Sequence, residues 1–309
     1  MTSTKIGVIW NPTKVDESEL RAAISSAHPD DVVLWWQTAE DDPGYSMGKD
    51  ALQAGCTLIY TAGGDGTVRA VADALAGTEA SLGIIPCGTG NLLARNLEIP
   101  LGDVRAAIDH ALASDGRTID IGQVRILEGD TPGDHGFLVM VGFGLDAQML
   151  SATDEDLKAK AGWLAYVQAL RQAAAATELV EAQIALDDEE SQSVPVHTLL
   201  IGNCGTIQGG IALLPDAVPD DGLLDILVVS AEGVLGWLDT AKSMLWDNGL
   251  KRLLGANDSA VSTDFTSHAA VKSVRIELAE AQEFEIDGEE VGAVRVLEVS
   301  LLPAALRVR

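Results

Sequence analysis

Three glycines, one carboxylate and one hydroxyl stand together in the stretch Gly63–Thr67. Glycines allow backbone N–H groups to approach a ligand closely, and they permit positive φ angles. A helix-like run, Val68–Ala76, follows directly, and the positive end of its dipole would point at the same place. The combination predicts a phosphate cradle, with a metal ion or a bound hydroxyl beside Asp65. The alternative is a plain connection between a strand and a helix, because the same residues are good turn formers.

A second glycine loop, Gly88–Asn91, follows the next strand candidate along the chain. Gly88 and Gly90 again permit close backbone approach, while Thr89 and Asn91 offer side-chain hydrogen bonds. Arg95 lies near the end of the helix-like run that comes next. Two such loops after consecutive strand candidates favour the ligand-binding interpretation of the first loop.

Strand-like and helix-like runs alternate over the first part of the chain, which predicts a parallel, doubly wound sheet. Ligands of such sheets bind outside the carboxyl ends of the strands. Asn11, Thr38 and both glycine loops follow strand ends, so we expect four loops to converge on one crevice. The predicted strands are Lys5–Trp10, Val32–Trp36, Cys56–Ala62 and Leu82–Pro86, and the predicted helices are Ser18–Ala27, Tyr45–Ala54, Val68–Ala76 and Asp103–Ala113.

From about Thr118 the pattern changes to short strand candidates that helices mostly do not separate, which is typical of a β-rich second domain. We therefore predict an α/β domain over residues 1–117 and a β-rich domain over 118–309, whose last strand is a candidate to return to the first domain. Two helices are predicted within the second part, at 157–176 and 234–250, and an acidic hairpin tip at 187–190. The strand candidates are Ile119–Val124, Phe137–Val141, Ala182–Leu186, Val196–Gly202, Leu224–Val229, Val271–Leu278, Phe284–Ile286 and Val294–Leu301.

The 309-residue chain has 20 basic and 47 acidic side chains and a net charge of −27. This acidic excess argues against nucleic acid as a partner and against docking to anionic lipid through a polybasic patch. No apolar run reaches the roughly 18 residues typical of a transmembrane helix, and the N-terminus reads as a first strand rather than a signal peptide. Three scattered cysteines fit a reducing cytosol, so we expect a cytoplasmic protein.

The two glycine loops in this order resemble the catalytic domain of the diacylglycerol kinase family, and within it the soluble bacterial lipid kinases related to sphingosine kinases. The resemblance extends over nearly the whole chain and includes Asp287-Gly288-Glu289 as its last motif. Each motif alone is weak, but their order and spacing make the likeness specific. The further matching segments are Asn11-Pro12, Gly142–Ala147, Lys158, Lys160, Gly162–Tyr166, Gly202-Asn203, Gly209-Gly210, Pro215, Ala217 and Asp220–Asp225.

The resemblance implies a nucleotide domain of the phosphofructokinase and NAD kinase type, followed by a β-sandwich domain. It implies ATP and Mg²⁺ as phosphoryl donor and cofactor, and a lipid with a free hydroxyl at the membrane surface as acceptor, by default diacylglycerol, which would give phosphatidic acid. The residues in position to bind ATP are Asn11, Pro12, Thr13, Lys14, Val15, Thr38, Gly63, Gly64, Asp65, Gly66, Thr67, Val68, Arg69, Ala70, Gly88, Thr89, Gly90 and Asn91.

The catalytic residues implied are Glu289, as the proton acceptor, and Asp65, which would hold the catalytic Mg²⁺ through water. A second, structural Mg²⁺ would be bound by Asp221 and by the backbone carbonyls of Val218 and Leu223. Family members of bacterial origin commonly have asparagine at the position of Arg69. An arginine there either supplies charge to a phosphate or weakens the usual nucleotide contacts.

Several alternatives stay open on the residues alone. Asp287-Gly288 also fits a plain hairpin turn, and Asp220-Asp221-Gly222 fits an acidic loop. The whole chain could instead be an NAD kinase-like enzyme with a soluble acceptor, or a catalytically idle lipid-binding regulator. Its assembly state is open between a monomer and a homodimer.

Overall fold

The structure is a computed structural model that describes residues 4–144, 179–187, 189–210, 212–229 and 266–309. The helices predicted at 157–176 and 234–250 lie outside the described residues, as do Lys158, Lys160 and the motif at 162–166.

Four parallel strands form the sheet of the first half of the chain, in the spatial order β4-β3-β1-β2. The two strands that carry the glycine loops, β3 and β4, are buried at every position. Strands that are buried on both faces require helices on both faces of the sheet. The strands are β1 Lys5–Trp10, β2 Val32–Gln37, β3 Leu58–Gly63 and β4 Ser81–Pro86.

Five helices connect and cover these strands. Asp16 and Asp103 begin α1 and α5 by accepting backbone N–H groups of the first turn, as N-cap residues do. Helix α1 packs against α5, and α2 packs against α3. Right-handed crossovers place α1 on one face of the sheet and α2 and α3 on the other, because β2 and β3 lie on opposite sides of β1. Helix α5 packs against α1 and so lies on the same face as α1. The helices are α1 Glu17–Ala27, α2 Tyr45–Gln53, α3 Asp65–Leu75, α4 Leu92–Asn96 and α5 Val104–Ala113.

The second half of the chain forms antiparallel strands in the parts that the structure describes. The acidic segment at 187–190 connects β8 and β9, which pair as a hairpin, so the hairpin prediction is confirmed. The strands are β5 Arg117–Gly129, β6 Gly133–Phe137, β7 Met140–Phe143, β8 Val180–Leu186, β9 Gln192–Val196, β10 Thr198–Gly202, β11 Leu224–Val229, β12 Thr266–Val271, β13 Ser273–Ile286 and β14 Glu289–Val308.

The long strand β14 connects the two halves of the molecule. It pairs antiparallel with β13 and β5, and its last residues, Arg307 and Val308, pair in parallel with Ser81 and Leu82 of β4. The described strands therefore form one continuous hydrogen-bonded network. The mixed α/β class with a β-rich second half is confirmed, while the division after residue 117 stays a prediction.

Several strand predictions were wrong in their bounds, among them Val196–Gly202, which is divided between β9 and β10 at His197. The run 137–141 is not one strand, because the backbone N–H groups of residues 138–140 turn to the carboxylate of Asp287 and β6 ends at Phe137. The runs 271–278 and 284–286 are not separate strands either. Most of their length, together with the residues between them, forms the single strand β13, which carries irregular pairing near Gln282.

The buried side chains form two hydrophobic cores, and the first of them also includes residues of the second half of the chain, such as Leu138 and Leu200. One core fills the space between the parallel sheet and its helices, with Ile9, Ile59 and Leu75 fully buried, and the other lies among the antiparallel strands. Burying one such aliphatic side chain stabilises a fold by roughly 1.5–3 kcal/mol. Among the described residues, no helix is long and apolar enough to cross a bilayer.

Candidate functional site

The carboxyl ends of the four parallel strands lie level with one another. In the register of the sheet, Trp10 is beside both Gln37 and Ala62, and Gly63 is beside Pro86. The loops that follow these residues therefore leave the sheet at one edge. This is the edge at which doubly wound sheets bind their ligands, as the sequence predicts.

The first loop of this edge, residues 11–15, is folded around Asn11. The Asn11 side-chain oxygen accepts hydrogen bonds from the Thr13 N–H (2.9 Å) and hydroxyl (2.8 Å), and the Asn11 N–H donates to Ala62 (2.9 Å). Thr38, at the end of β2, is buried, and its N–H donates to the carbonyl of Trp10. Val15 is half-buried, and the side chains that face solvent are Pro12, Thr13 and Lys14.

The glycine stretch after β3 leads directly into α3. Its N-cap residue is Gly64, which has no side chain to cap the helix, so the first N–H groups of α3 have no intrahelical partner. Gly63 must be a glycine, because a Cβ there would lie 2.7 Å from Thr67 Cβ. The geometry is that of an anion site formed by backbone N–H groups and a helix N-terminus.

Asp65 connects the first glycine loop to the second. One carboxylate oxygen accepts the N–H of Asn91 (2.8 Å) and the other accepts the N–H of Leu92 (2.5 Å), the residues that begin α4. Burial raises the pKa of Asp65, and these two N–H groups act in the opposite direction. Each oxygen retains a further lone pair beyond these bonds, so Asp65 can take part in other contacts while it fixes the relative position of the loops.

The two loops approach so closely that only glycine fits at the contact. A Cβ on Gly88 would lie 2.6 Å from Gly64 Cα, and a Cβ on Gly90 would lie 2.6 Å from a carboxylate oxygen of Asp65. Contacts under 3.0 Å force atoms to move, so a side chain at Gly88 would push the backbone at Gly64 away and one at Gly90 would displace the Asp65 carboxylate. Gly88 and Gly90 of the second loop are therefore required by the packing of the two loops, whatever else they bind.

Asn91 closes the second loop on itself. Its side chain accepts the Gly88 N–H (2.9 Å) and donates to the Gly88 carbonyl (2.8 Å), and its backbone has a positive φ of 49°. The Arg95 Nε donates to the Gly90 carbonyl (2.6 Å), which places a cation beside this loop. Thr89 faces solvent between the two glycines.

Glu289 comes from the second half of the chain and contacts the first glycine loop. Ile286 pairs with Glu289 around the two-residue turn Asp287-Gly288, whose φ angles of 50° and 80° are both positive, as in type I′ hairpins. The Glu289 carboxylate lies against the backbone of Gly66, so that a Cβ on Gly66 would collide with Oε1. The segment is thus a hairpin turn, and that turn brings Glu289 to the glycine loop.

Asp287 fixes this turn from inside the protein. Its carboxylate accepts the N–H groups of Leu138 (2.9 Å), Val139 (2.8 Å) and Met140 (3.1 Å). Burial raises the pKa of Asp287, while the three N–H groups and the charge of Arg69 lower it. Sequence reasoning had no signal for this contact, since the partners are almost 150 positions apart.

Arg69, which belongs to α3, reaches across to the same hairpin. Its Nη1 donates to the carbonyl of Ile286 (2.8 Å), and its Nη2 forms an ion pair with Oε2 of Glu289. Arg69 was predicted among the nucleotide contacts and not as a partner of Glu289. The only available signal was the unusual arginine at that position.

A second connection between the two halves joins α4 to the segment after β10. The Asn96 amide donates to the Thr206 carbonyl (2.7 Å) and accepts the Thr206 N–H (3.0 Å), which reproduces the pairing of two strands. Sequence reasoning did not identify Asn96. Together with Arg69 and β14, this contact fixes the second half of the chain against the glycine loops.

The residues predicted to hold a structural metal lie on one loop before β11. Asp221 accepts the Leu223 N–H (2.9 Å), and the exposed Val218 accepts the Asp221 N–H at 3.4 Å. Burial, then the charges of Asp221 and Asp216, raise the pKa of Asp225 to about 7. No group of three or more acidic, histidine or cysteine side chains surrounds a metal position in the described part of the chain.

A polar cavity of about 510 Å³ lies at the opposite, amino-terminal edge of the parallel sheet. Its lining includes Thr4, Leu58 and Ser81, which lie at or next to the starts of β1, β3 and β4. His28, which also lines the cavity, contacts the Tyr60 hydroxyl (3.0 Å), and burial raises the pKa of Tyr60 to about 12. The cavity contains none of the glycine-loop residues, so we place the candidate site at the carboxyl edge.

Comparisons with known proteins agree with this arrangement. Residues 5–124 match the diacylglycerol kinase catalytic domain, and residues 139–309 match the YegS C-terminal NAD kinase beta sandwich-like domain. A solved diacylglycerol kinase structure from Bacillus anthracis str. Sterne has the same fold, with a TM-score of 0.65 and 22% identity over 100% of this chain and 97% of that one. An α/β domain of the diacylglycerol kinase catalytic type, followed by a β-sandwich-like domain, defines the class of the protein.

Two curated relatives extend over the full chain. A protein from Pseudomonas aeruginosa named probable lipid kinase YegS-like is 31% identical, over 100% of this chain and 95% of its own. A protein of the same name from Pseudomonas fluorescens is also 31% identical, over 100% and 96%. The chain belongs to the YegS-like lipid kinase family, which confirms the resemblance drawn from its motifs.

Proposed function

We propose that the chain is an ATP-dependent lipid kinase that transfers the γ-phosphoryl group to a free lipid hydroxyl. The observation that carries this proposal is the contact between Glu289 and Gly66, because it brings a carboxylate to the wall of an anion cradle. We propose diacylglycerol as the acceptor and phosphatidic acid as the product. Residues 1–117 would bind ATP, and residues 118–309 would bind the lipid.

The phosphate side of the proposed site consists mainly of backbone. The unpartnered N–H groups at the start of α3 and the glycines of both loops would surround the β- and γ-phosphates. Arg95 supplies a positive charge beside the second glycine loop, and Lys14 is exposed on the loop of residues 11–15 at the same edge of the sheet. Phosphoryl transfer depends on positioning and charge neutralisation, and a preorganised backbone cradle supplies both in a chain whose net charge would otherwise repel an anion.

On the acceptor side, we propose Glu289 as the general base. The lipid hydroxyl oxygen forms the new bond to the γ-phosphorus while the bond from that phosphorus to the β,γ-bridging oxygen breaks. The hydroxyl proton passes to Glu289, and ADP leaves with the bridging oxygen. A positioned base of this kind contributes about 10²- to 10⁴-fold to a rate.

Mg²⁺ fits the donors present, and we include it in the proposal. Asp65 keeps free lone pairs in addition to its two N–H bonds, so it can hold a hydrated cation, and Mg²⁺ prefers such oxygen ligands with retained waters. The acidic loop of Val218, Asp221 and Leu223 offers oxygen ligands as well, and a cation there would relieve the repulsion at Asp225. When bound, the metal would neutralise phosphate charge.

The lipid acceptor implies work at a membrane surface, and we propose a cytoplasmic protein that associates with the bilayer transiently. The net charge of −27 makes attraction to anionic headgroups an unsuitable means of docking. We therefore expect binding to vesicles to depend on the neutral acceptor lipid rather than on anionic lipid content. Sedimentation with vesicles of each composition measures this directly.

The acceptor is tested with γ-labelled ATP and a panel of lipids in mixed micelles. The panel contains diacylglycerol, monoacylglycerol, phosphatidylglycerol, a sphingoid base and ceramide, and NAD serves as a soluble acceptor. We expect label in diacylglycerol. Label in another lipid would correct the acceptor alone, label in NAD would favour an NAD kinase-like enzyme, and no labelled product would refute the kinase proposal.

A further inference from the structure

Arg69 is the α3 side chain that joins the first glycine loop to the hairpin of Glu289. Its two terminal nitrogens each have a partner on that hairpin, the Ile286 carbonyl at 2.8 Å and the Glu289 carboxylate. These partners are 217 and 220 positions away in the sequence. The guanidinium thus contacts both the backbone and the side chain of the element that carries the proposed base.

The Glu289 carboxylate is held on two sides. Oε1 faces the backbone of Gly66, and Oε2 faces Arg69. The side chain of Glu289 is 50% exposed, whereas that of Arg69 is 21% exposed. An exposed glutamate without such contacts samples several rotamers, and fixing it costs up to about 2 kcal/mol of entropy. Arg69 is the more buried partner and therefore supplies the fixed point.

The surroundings of Arg69 are acidic throughout, which distinguishes it from the cations beside the glycine loops. Besides Glu289, its charge interacts with the carboxylates of Asp73, one turn further along α3, and Asp287, inside the hairpin. Arg95, in contrast, donates to a carbonyl of the second glycine loop. The positive charge of Arg69 thus already has the Glu289 carboxylate as its ion-pair partner and interacts with two further carboxylates.

We propose that Arg69 is a positioning residue that holds the Glu289 carboxylate over Gly66 for proton transfer, and that it is not a ligand of ATP. The inference rests on the proposed function, in which Glu289 accepts the proton of the lipid hydroxyl. Arginine suits this task because its planar fork can bind the carboxylate and the Ile286 carbonyl together, which lysine does less well.

The test compares Arg69→Met, Arg69→Lys, Arg69→Ala and the unchanged enzyme in steady-state transfer to the acceptor lipid. We expect kcat to fall about 10- to 100-fold in Arg69→Met, because small misplacements of a reacting group cost up to about 10²-fold. The KM for ATP should stay within about threefold, since no ground-state contact to ATP is removed. Arg69→Lys should recover part of kcat, and added guanidinium ion should recover part of it in Arg69→Ala.

Two controls separate positioning from a merely structural role. Arg125→Met removes an exposed ion pair of the same type, with Asp134 at 2.6 Å, and should leave kcat unchanged. In a Glu289→Gln background, Arg69→Met should cause no further loss of kcat, because residues that act as a unit are not additive.

The outcomes distinguish this inference from the proposed function. A raised KM for ATP at unchanged kcat would make Arg69 a nucleotide ligand and overturn the positioning role. The positioning role would also be overturned if the kcat losses of Arg69→Met and Glu289→Gln multiply when the two substitutions are combined, or if kcat is unchanged in Arg69→Met. If the unchanged enzyme labels no lipid, the proposed function fails and the inference fails with it.

Discussion

The substitution Gly66→Ala tests the contact between the two halves of the site with a single methyl group. A Cβ on Gly66 would collide with Oε1 of Glu289. Because Gly66 belongs to α3 and has no positive φ, alanine fits its backbone conformation without strain. The substitution therefore acts on the position of the Glu289 side chain and leaves the backbone of the loop in place.

Activity should fall strongly on this substitution, whereas stability should hardly change. Alanine stabilises a helix by about 0.5–1 kcal/mol relative to glycine. The displaced group is the end of a half-exposed side chain, and losing its exposed ion pair with Arg69 costs about 0–1 kcal/mol. The two effects nearly cancel, so we expect the free energy of unfolding to change by no more than about 1 kcal/mol. We expect kcat to fall about 100-fold, because the base moves away from the acceptor.

The assay pairs denaturant unfolding with transfer of labelled phosphate to lipid, on Gly66→Ala and on Gly66→Ala combined with Glu289→Ala. The double variant should have the activity of Glu289→Ala alone, since the displaced group is already gone. Full activity in Gly66→Ala would refute the contact as the basis of the site. A loss of several kcal/mol in stability would show that the glycine serves the backbone instead.

Two further predictions concern buried carboxylates. Burial raises the pKa of Asp73 from 3.8 to about 6, so the folded state binds this proton more tightly than the unfolded state. The contribution of Asp73 to stability is therefore most favourable below about pH 4 and is lost as the pH rises through 6. Asp73→Asn should therefore stabilise the protein by up to about 3 kcal/mol at pH 7 and by less than about 1 kcal/mol at pH 4. Equal effects at both pH values in urea titrations would contradict this. Asp287→Asn should destabilise the protein by about 2–4 kcal/mol. One amide oxygen cannot accept all three N–H groups, and the amide NH₂ would face them as a second donor. A urea unfolding midpoint equal to that of the unchanged protein would show that the turn does not depend on this carboxylate.

The first half of the fold could be predicted from the sequence because its signals are local. Helices alternate with apolar strands, and each glycine loop follows a strand end, so pattern and turn chemistry point to one topology. The observed helices and strands differ from the predicted bounds by one or two residues at most ends. The edge at which the loops converge follows from the parallel arrangement alone.

The second half carries contacts that local patterns do not show. The break between β6 and β7 depends on Asp287, and the position of Glu289 depends on Gly66 and Arg69, all of them distant in sequence. Asp287-Gly288 was predicted both as a turn and as part of a site, and the structure makes the turn the means by which Glu289 reaches the loop. Long-range pairing of this kind leaves no periodicity in the chain.

The most direct test of the account is transfer of labelled phosphate from ATP to diacylglycerol by the unchanged enzyme, Glu289→Gln and Glu290→Gln. The two glutamates are neighbours on β14, so their side chains point to opposite faces of the strand. We predict that Glu289→Gln loses at least about 100-fold in kcat, while Glu290→Gln stays within about threefold of the unchanged enzyme. Equal losses in both variants, or full activity in Glu289→Gln, would contradict the assignment of Glu289 as the base.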